Sequence, residues 1–593
     1  MAEVLRLFDV LQHKKESHKF KEDILAWKEN NEWIKYSIDQ YIEAANNVSY
    51  GLLALGLKPG DHVATISNSR PEWNFMDMGI LQAGMVHVPI YPTISESDYQ
   101  YILNHSEVKV VAISGKEILR KIEHILPDIK AIKEVYAFKE TEGVKPFSEL
   151  LALGEASKNE SALNEIKSKI NTDDTATIIY TSGTTGNPKG VVLSHKNIIV
   201  NVMGVKHIPP VGEEGKALSY LPLCHVYERM LNYLFQYIGI SIYYAESPVT
   251  VADNLKDMKA DLFATVPRLL EKVYDKILAT GRKQKGIKKS IFFWALHLGL
   301  RYEPTGGNGF LYDIKLKVAR KLVFSKWQAA LGGNVKVIVS GGAALQPRLA
   351  RIFWAAGIPV LEGYGLTETS PVIGVNSFEP GGLMVGSVGR PIANAEVKIA
   401  EDGEILTKGP CVMKGYFKEP ELTKEAIDKD GWFHTGDTGH IEKNGHIVIT
   451  GRKKEIFKTS FGKYISPEMI ENHLKESIFI DTALIVGENQ KYAAALLVPD
   501  FAFLKAWCAK KGVPYTTNEE MVKVDRIQKR FAKEIAIYNK ELGAHEQIRS
   551  FELLADEWSV DSGELTASLK LRRPFITKKY EAQIEKLFNK QVD

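Results

Sequence analysis

Short β-branched runs alternate with helical stretches along the first half of the chain, and this alternation restricts it to one broad class of fold. Asp61-His-Val-Ala-Thr-Ile-Ser follows the turn Lys58-Pro59-Gly60, and Val86-His-Val-Pro-Ile, Val110-Val-Ala-Ile-Ser and Val335-Lys-Val-Ile-Val-Ser repeat the pattern. Near-continuous apolar runs of this kind suit strands buried on both faces, and helices between them suit crossovers to parallel neighbours. The expected class is α/β, with packed, mainly parallel sheets. At 593 residues the chain exceeds what one core can hold, so several folding units are expected.

After Gly389-Arg390-Pro391 the pattern changes. Ala395-Glu-Val-Lys-Ile and Glu404-Ile-Leu-Thr flank Asp402-Gly403, and Ile441-Glu-Lys and His446-Ile-Val-Ile-Thr flank Asn444-Gly445. Asp-Gly and Asn-Gly supply the positive φ angles of tight hairpins, which predicts a small antiparallel β unit. The expected organisation is an N-terminal domain over 1–453, with an α/β core over 1–390 and the antiparallel unit over 391–453. A small α+β domain then covers 454–593. In that last domain Ser466 and Pro467 mark a helix start. Ile576, Tyr580, Ile584 and Leu587 mark one face of a final helix.

Charge excludes one class of function. The 76 basic and 73 acidic residues leave a net +3, so no global field attracts nucleic acid, and an anionic ligand must be held by local arrangement. Cys224, Cys411 and Cys508 form no CxxC pair, which fits a reducing cytosol and argues against a disulfide scaffold. The N-terminus carries no signal-peptide pattern. The most apolar stretch, Met230 to Tyr244, is interrupted by Asn232 and Gln236 and is too short to span a bilayer. A cytoplasmic protein is expected, with room for peripheral contact with a membrane surface.

The most informative segment runs from Thr175 to His195. A β-rich stretch leads into Thr181, Ser182, Gly183, Thr184, Thr185 and Gly186; Lys189 and Gly190 follow, and then a second β-like run. Glycines let backbone N–H groups approach an anion, the hydroxyls add donors, and Lys189 offers a point charge for phosphate. The spacing GxxGxxKG, with no helix start after the lysine, is not a Walker loop. A plain polar turn is the alternative, and so many hydroxyls, glycines and a lysine between apolar strands argue against it. A second segment, Glu362-Gly363-Tyr364-Gly365-Leu-Thr367-Glu368-Thr-Ser, sets two glycines around an aromatic ring. It adds a threonine–glutamate pair suited to phosphate and magnesium.

Together these segments resemble the two signature loops of the AMP-forming adenylate superfamily, which includes acyl-CoA synthetases, luciferases and peptide-synthetase adenylation domains. The likeness runs from about Gly51 to Arg573, with the motifs in family order. It implies that Thr181 to Gly186, with Thr184 and Lys189 catalytic, hold the outer phosphates of ATP. Tyr364, between Gly363 and Gly365, stacks on adenine; Thr367 touches the α-phosphate; Glu368 binds Mg²⁺. It assigns ribose to Asp437 of Gly431-Trp-Phe-His-Thr-Gly-Asp, and ribose or phosphate to Arg452 of Gly451-Arg-Lys-Lys-Glu. Gly341, Gly342 and Ala343 of Ser340-Gly-Gly-Ala-Ala-Leu line the adenine and acyl pockets. His225, in Leu221-Pro-Leu-Cys-His-Val-Tyr-Glu-Arg, lies near the carboxylate. Lys570, in Glu564-Leu-Thr-Ala-Ser-Leu-Lys-Leu-Arg-Arg, is the catalytic lysine bridging carboxylate and α-phosphate. Lys454 is the hinge, and the loop of Ser460 and Gly462 faces coenzyme A. Two positions depart from the family pattern: Phe461 replaces a small residue and Ala567 a proline.

The implied reaction is ATP-dependent activation of a long-chain fatty acid to acyl-AMP with loss of pyrophosphate, followed by thioester formation with coenzyme A. The long-chain likeness rests on the His225 segment, on Ala264-Thr-Val-Pro-Arg-Leu-Leu-Glu-Lys-Val-Tyr, on the lysine motif, and on a helical, basic stretch near Ile277 to Lys326. Within that stretch, Arg282-Lys-Gln-Lys-Gly-Ile-Lys-Lys beside Ile291-Phe-Phe-Trp is a candidate lipid contact; a solvated helix end is the alternative. Two rival functions are an adenylating enzyme that loads a separate acyl carrier protein and a silent fatty-acid or nucleotide-binding homologue. Oligomeric state is not legible.

Overall fold

The computed structural model describes residues 3–181, 187–247, 249–566 and 570–589. The chain divides into two compact units. The first comprises Met1–Lys398, Leu406–Thr435 and Ile441–Ile447; the second comprises Ile399–Ile405, Gly436–His440 and Val448–Asp593.

Among the described residues the first unit holds an eight-stranded and a nine-stranded sheet. In the eight-stranded sheet β1 (His62–Ile66) lies between β2 (Val86–Ile90) and β3 (Val110–Ile113), parallel to both. These are three of the runs read as buried strands, and β2 and β3 are buried at every position. Helix α1 (Pro71–Gln82) crosses from β1 to β2 with proline in its first turn, where a missing N–H costs nothing. β4 (Thr175–Thr181) joins β2 in parallel and turns back antiparallel into β5 (Lys189–Ser194). After β5 a helix begins: the Ser194 hydroxyl accepts from Asn197 N–H while the Asn197 side chain accepts from Ser194 N–H.

The apolar stretch near Met230 resolves into a buried helix, α2 (Val226–Ile238), and the strand Ser241–Tyr244; Gly239 at φ +92° ends the helix in the left-handed region. In the nine-stranded sheet β6 (Leu262–Thr265), β7 (Val337–Ser340) and β8 (Val360–Gly365) run parallel as neighbours, and β9 (Val372–Val375) turns back antiparallel to β8. Helices α3 (Gly286–Gly299) and α4 (Phe310–Ala319) form an excursion between β6 and β7. β10 (Gly415–Tyr416) closes the edge of the eight-stranded sheet, with Tyr416 opposite Val191. A separate four-stranded sheet orders Glu396–Ile399, Glu404–Lys408, Phe433–Ile441 and Ile447–Arg452. Gly403 and Gly445 sit at φ +84° and +86° in its expected turns.

The second unit has its own core of Phe479, Leu504, Phe531 and Ile535 around a three-stranded sheet. In that sheet Ala493–Pro499 pairs antiparallel with Ile480–Val486 and parallel with Ile548–Leu553. Two sequence expectations need correction here. Ser466 precedes the helix Pro467–Leu474, but its hydroxyl donates to Thr450 C=O (2.7 Å) instead of capping. The stripe from Ile576 to Leu587 spans two helices, Arg573–Lys579 and Glu581–Asn589, broken at Tyr580. Its buried face still packs on Trp558 and the sheet residues Leu484 and Leu496.

Candidate functional site

Parallel α/β sheets place ligands at the carboxyl ends of their strands, and the predicted segments of the first unit lie at such strand ends. Thr181 ends β4 and pairs with Lys189 at the start of β5; Ser182, Gly183, Thr184, Thr185 and Gly186 between them lie outside the described residues. The Lys189 ammonium lies 5.3 Å from the centre of the Tyr416 ring, within cation–π range. The Tyr416 hydroxyl donates to Glu368 Oε1 at 2.9 Å. Glu368 sits in the short turn Thr367–Thr369 after β8, and its carbonyl accepts from Met413 N–H at 2.8 Å. One tyrosine thus joins the lysine of the first loop to the carboxylate of the second. Burial, with the Glu368 charge, pushes the Tyr416 hydroxyl well above the usual phenol range, so it stays a donor.

Sequence reasoning missed Tyr416. Its partners lie 48 and 227 positions away, and only the pairing of β10 with β5 unites them. Replacing Tyr416 with phenylalanine removes one hydrogen bond to a charged group, worth about 1.5–3 kcal/mol. If the pair serves ATP and magnesium as the family resemblance implies, the expected result is roughly 10-fold or greater loss in acid-dependent pyrophosphate release and a higher magnesium requirement, with a melting temperature lowered by no more than about a few degrees. A variant with wild-type magnesium dependence would show that the hydroxyl does not position Glu368.

Backbone geometry explains only some of the loop glycines. A Cβ on Gly365 would stand 1.8 Å from Pro371 O, and Gly342 has φ +82°, so both need glycine on conformational or steric grounds. A Cβ on Gly363 would meet nothing closer than Val375 Cγ2 at 3.5 Å, an ordinary contact. Tyr364 between them is nearly buried, opposite Gly374, at a register shift in the β8–β9 pair. The ends of β7 and β8 stand side by side, Ser340 opposite Glu362, which brings Gly341 and Gly342 toward Gly363–Gly365, the strand residues that end β8. Gly342 and Ala343 are exposed.

His225 occupies the N-cap of α2, its Nδ1 accepting from Tyr227 N–H at 3.2 Å. That bond puts the ring hydrogen on Nε2. Tyr227 packs beneath Gly341, 3.2 Å from a Cβ built there, and donates its hydroxyl hydrogen to Val339 O of β7 at 3.0 Å. The start of α2 is thereby fixed to the nine-stranded sheet. Farther along, a fully buried charged cluster fixes it to the other sheet. Arg229 contacts Asp77 Oδ1 of α1 at 2.5 Å, donates to Thr177 Oγ1 of β4 at 2.7 Å, and donates to the Tyr233 hydroxyl at 2.9 Å. His87 of β2 meets Asp77 at 2.7 Å and Thr65 of β1 at 2.9 Å. Burial pushes the Asp77 carboxyl up, but the Arg229 charge and the bonds from His87 and Tyr233 outweigh it and leave it below the usual range.

Glu228, the next residue on α2, contrasts with Asp77. One carboxyl oxygen accepts from Ser219 Oγ at 2.5 Å; the other is buried with no partner among the described residues. Burial raises its pKa from 4.5 to about 8. The folded state therefore holds a proton that the unfolded chain releases above pH ~4.5. This stabilising contribution is complete below the unfolded pKa and is lost as pH rises through about 8. Glu228→Gln keeps an acceptor for Ser219 and removes the titration. Its stability relative to wild type is expected to rise by on the order of a few kcal/mol between pH 5 and 9, read by denaturant unfolding across that range. A pH-independent difference would overturn the assignment.

The second unit carries the remaining predicted residues. Asp437 is buried and pairs with Arg452, Nε to Oδ1 at 3.3 Å, so the two read as separate nucleotide contacts form an ion pair. Lys453 holds Asp402 and Glu404 at 2.6 and 2.7 Å, and the neighbouring Lys454 is exposed in a turn. Ser460, Phe461 and Gly462 form the exposed tip of a small hairpin, Phe457–Lys458 with Tyr464–Ile465, in which Gly462 has φ +77°. Lys570 is exposed. Its N–H donates to Thr566 Oγ1 at 3.0 Å, and its carbonyl accepts from Thr566 N–H at 2.8 Å. Ala567 lies outside the described residues.

Among the described residues no three His, Cys, Asp or Glu side chains group as a metal site. Magnesium commonly binds through one or two carboxylates plus substrate phosphates, and a lone Glu368 with one oxygen tied to Tyr416 fits that donor set.

Comparisons with known proteins agree along most of the chain. Residues 12–417 match the model of the AMP-binding enzyme family, and residues 454–592 match that of the AMP-binding enzyme C-terminal domain. The chain is 33% identical over 565 residues to the long-chain-fatty-acid–CoA ligase FadD15 of Mycobacterium bovis, covering 93% of this chain and 92% of the relative. It is 32% identical over 589 residues to long-chain-fatty-acid–CoA ligase 1 of Cavia porcellus, covering 94% and 82%. An anthranilate CoA ligase solved with anthranoyl-AMP superposes with a TM-score of 0.73 at 18% identity, covering 99% of each chain. A fatty acyl CoA synthetase of Mycobacterium tuberculosis gives 0.63 at 20%, covering 98% and 99%. At those identities the two structures speak for the fold alone.

Proposed function

The chain belongs to the AMP-binding enzyme family, and from that premise we propose that it is a long-chain-fatty-acid–CoA ligase whose site is built from the loops described above. It catalyses ATP-dependent adenylation of a fatty-acid-like substrate, followed by thioester formation with coenzyme A. The observation that best supports the assignment of residues is the Lys189–Tyr416–Glu368 cluster, which joins a cation at the start of β5 to a carboxylate after β8.

A substrate carboxylate oxygen attacks the α-phosphorus of ATP, the bond to the β-phosphate oxygen breaks, and pyrophosphate leaves. Bringing two anions together needs positive charge in fixed positions. Lys189 serves the outer phosphates, and Lys570 bridges the carboxylate and the α-phosphate. Glu368 would hold a magnesium ion together with the nucleotide, and the ion would supply further charge neutralisation. Tyr364 stacks on adenine, Asp437 and Arg452 serve the ribose, and Gly341, Gly342 and His225 border the acyl pocket. In the second step the thiol of coenzyme A, losing its proton, attacks the acyl carbon, and AMP departs. Residues 454–593 act as a lid that turns about Lys454 between the steps, offering first Lys570 and then the Ser460–Gly462 hairpin.

Among the described residues no helix is long and apolar enough to cross a membrane; the reading is a cytoplasmic enzyme with peripheral membrane contact. Acids of increasing chain length, supplied with ATP and either coenzyme A or an acyl carrier protein, test it through AMP and thioester formation. Rates that rise into the long-chain range and require coenzyme A for product are expected. A preference for the shortest acids, or for the carrier, would overturn the corresponding part.

A further inference from the structure

The excursion of α3 and α4 carries a surface that the reaction does not use. Leu311, Ile314 and Val318 fall within about 60° of arc on α4, and Phe310 and Leu322 continue the strip at its two ends. All five are 45–77% exposed. The strip is not a core face awaiting its own protein. Leu316, Ala319 and Val323 supply the buried face, Tyr312 donates its hydroxyl hydrogen to Leu298 O at 2.6 Å, and Arg320 donates to Ala355 O at 2.8 Å. The helix is therefore seated on the body of the first unit with its apolar strip pointing away. The segment read from sequence as a lipid contact differs in detail. Ile291, Phe292 and Phe293 are half-buried, and the Phe292 ring fills the space beside Gly281, 2.0 Å from a Cβ built there.

Charge selects the occupant. Residues 282–326 hold eleven lysines and arginines against Glu303 and Asp313, a net +9 in a chain whose total is +3. Glu303 is already engaged with Arg351 at 3.2 Å. Lys315, Lys317 and Lys321 are exposed beside the strip. A second copy meeting this face about a two-fold axis would set +9 against +9, which opposes self-association. Nucleic acid would use the cations and leave the apolar strip in water. An exposed apolar strip flanked by lysines matches the boundary between anionic headgroups and acyl chains.

We propose that the α3–α4 excursion docks this protein on the surface of an anionic lipid bilayer, with Phe310, Leu311, Ile314 and Val318 entering the acyl boundary and the surrounding lysines meeting the headgroups. The surface gives the enzyme contact with the phase in which its water-insoluble acid substrate collects. This purpose rests on the function proposed above, whereas the docking itself does not.

The test is flotation of the full chain with vesicles of phosphatidylcholine alone, or containing about one-third phosphatidylserine. Wild type is expected to float with the anionic vesicles and to be largely released by high salt. Leu311→Ser/Ile314→Ser/Val318→Ser and Lys315→Glu/Lys317→Glu/Lys321→Glu are each expected to lower partitioning at least 10-fold. All substituted side chains are exposed, so adenylation of a short, water-soluble acid should stay unchanged in both variants, which also separates failed docking from failed catalysis. Wild type that ignores anionic vesicles, or an apolar variant that floats as well as wild type, overturns the proposal. So does a wild-type dimer that the apolar variant converts to monomer in sedimentation.

Discussion

Lys570→Ala is expected to lower acid-dependent pyrophosphate release by at least about 100-fold, the scale of removing one preorganised charge from a charged transition state. Lys570 is exposed, and its backbone N–H and carbonyl bond to Thr566, so alanine leaves those two bonds in place. Folding and unfolding midpoint should match wild type. Supplied with preformed acyl-AMP and coenzyme A, the variant should still make thioester, because the lysine is assigned to the first half-reaction. Equal loss in both halves would mean that Lys570 acts through the position of its unit; no loss in either would remove it from the mechanism.

Arg229→Met is expected to destabilise the first unit by about 3–5 kcal/mol, the usual consequence of stranding one member of a buried ion pair. Arg229 is 1% exposed and Asp77 fully buried. Methionine would leave the carboxylate with only His87 and Tyr233, in a place where water cannot reach it. Denaturant unfolding, followed by a probe in the first unit, reads the effect. Pairing the change with Asp77→Asn should recover much of the loss, since the orphaned charge disappears. Because the Asp77 pKa is depressed, the stability it contributes is present above the ordinary carboxylate pKa and is lost as pH falls through the depressed value. The Arg229→Met penalty should therefore shrink in acid. If the single variant proved as stable as wild type, the cluster would have no part in seating α2 between its two sheets.

How legible these features were in the sequence follows from the range over which each is set. β1, β2 and β3 were readable because a strand buried on both faces needs an unbroken apolar run, which is local. The hairpin turns at Gly403 and Gly445 were readable because positive φ favours glycine there. The break at Tyr580 was not, since Ile576, Tyr580 and Ile584 keep one face across two helices as well as along one. Asp77, His87 and Arg229 each look like surface residues in isolation; they become a buried cluster only when α1, β2 and α2 converge. Tyr416 was hidden for the same reason. His225 was visible as a candidate, but its capping bond to Tyr227 N–H depends on where α2 begins. The apolar strip on α4 was passed over because its spacing matches a core face, and only the placement of Leu316 and Val323 beneath shows that the strip faces outward.

Transfer of oxygen from the acid to the nucleotide tests the adenylation claim most directly. A fatty acid labelled with ¹⁸O in both carboxylate oxygens is turned over with ATP and coenzyme A, and the AMP is weighed by mass spectrometry. Attack on the α-phosphorus leaves one labelled oxygen bridging acyl group and phosphate, and the thiol then breaks the carbon–oxygen bond, so AMP is expected to carry a single ¹⁸O. Unlabelled AMP, or label appearing in inorganic phosphate beside ADP, would contradict it.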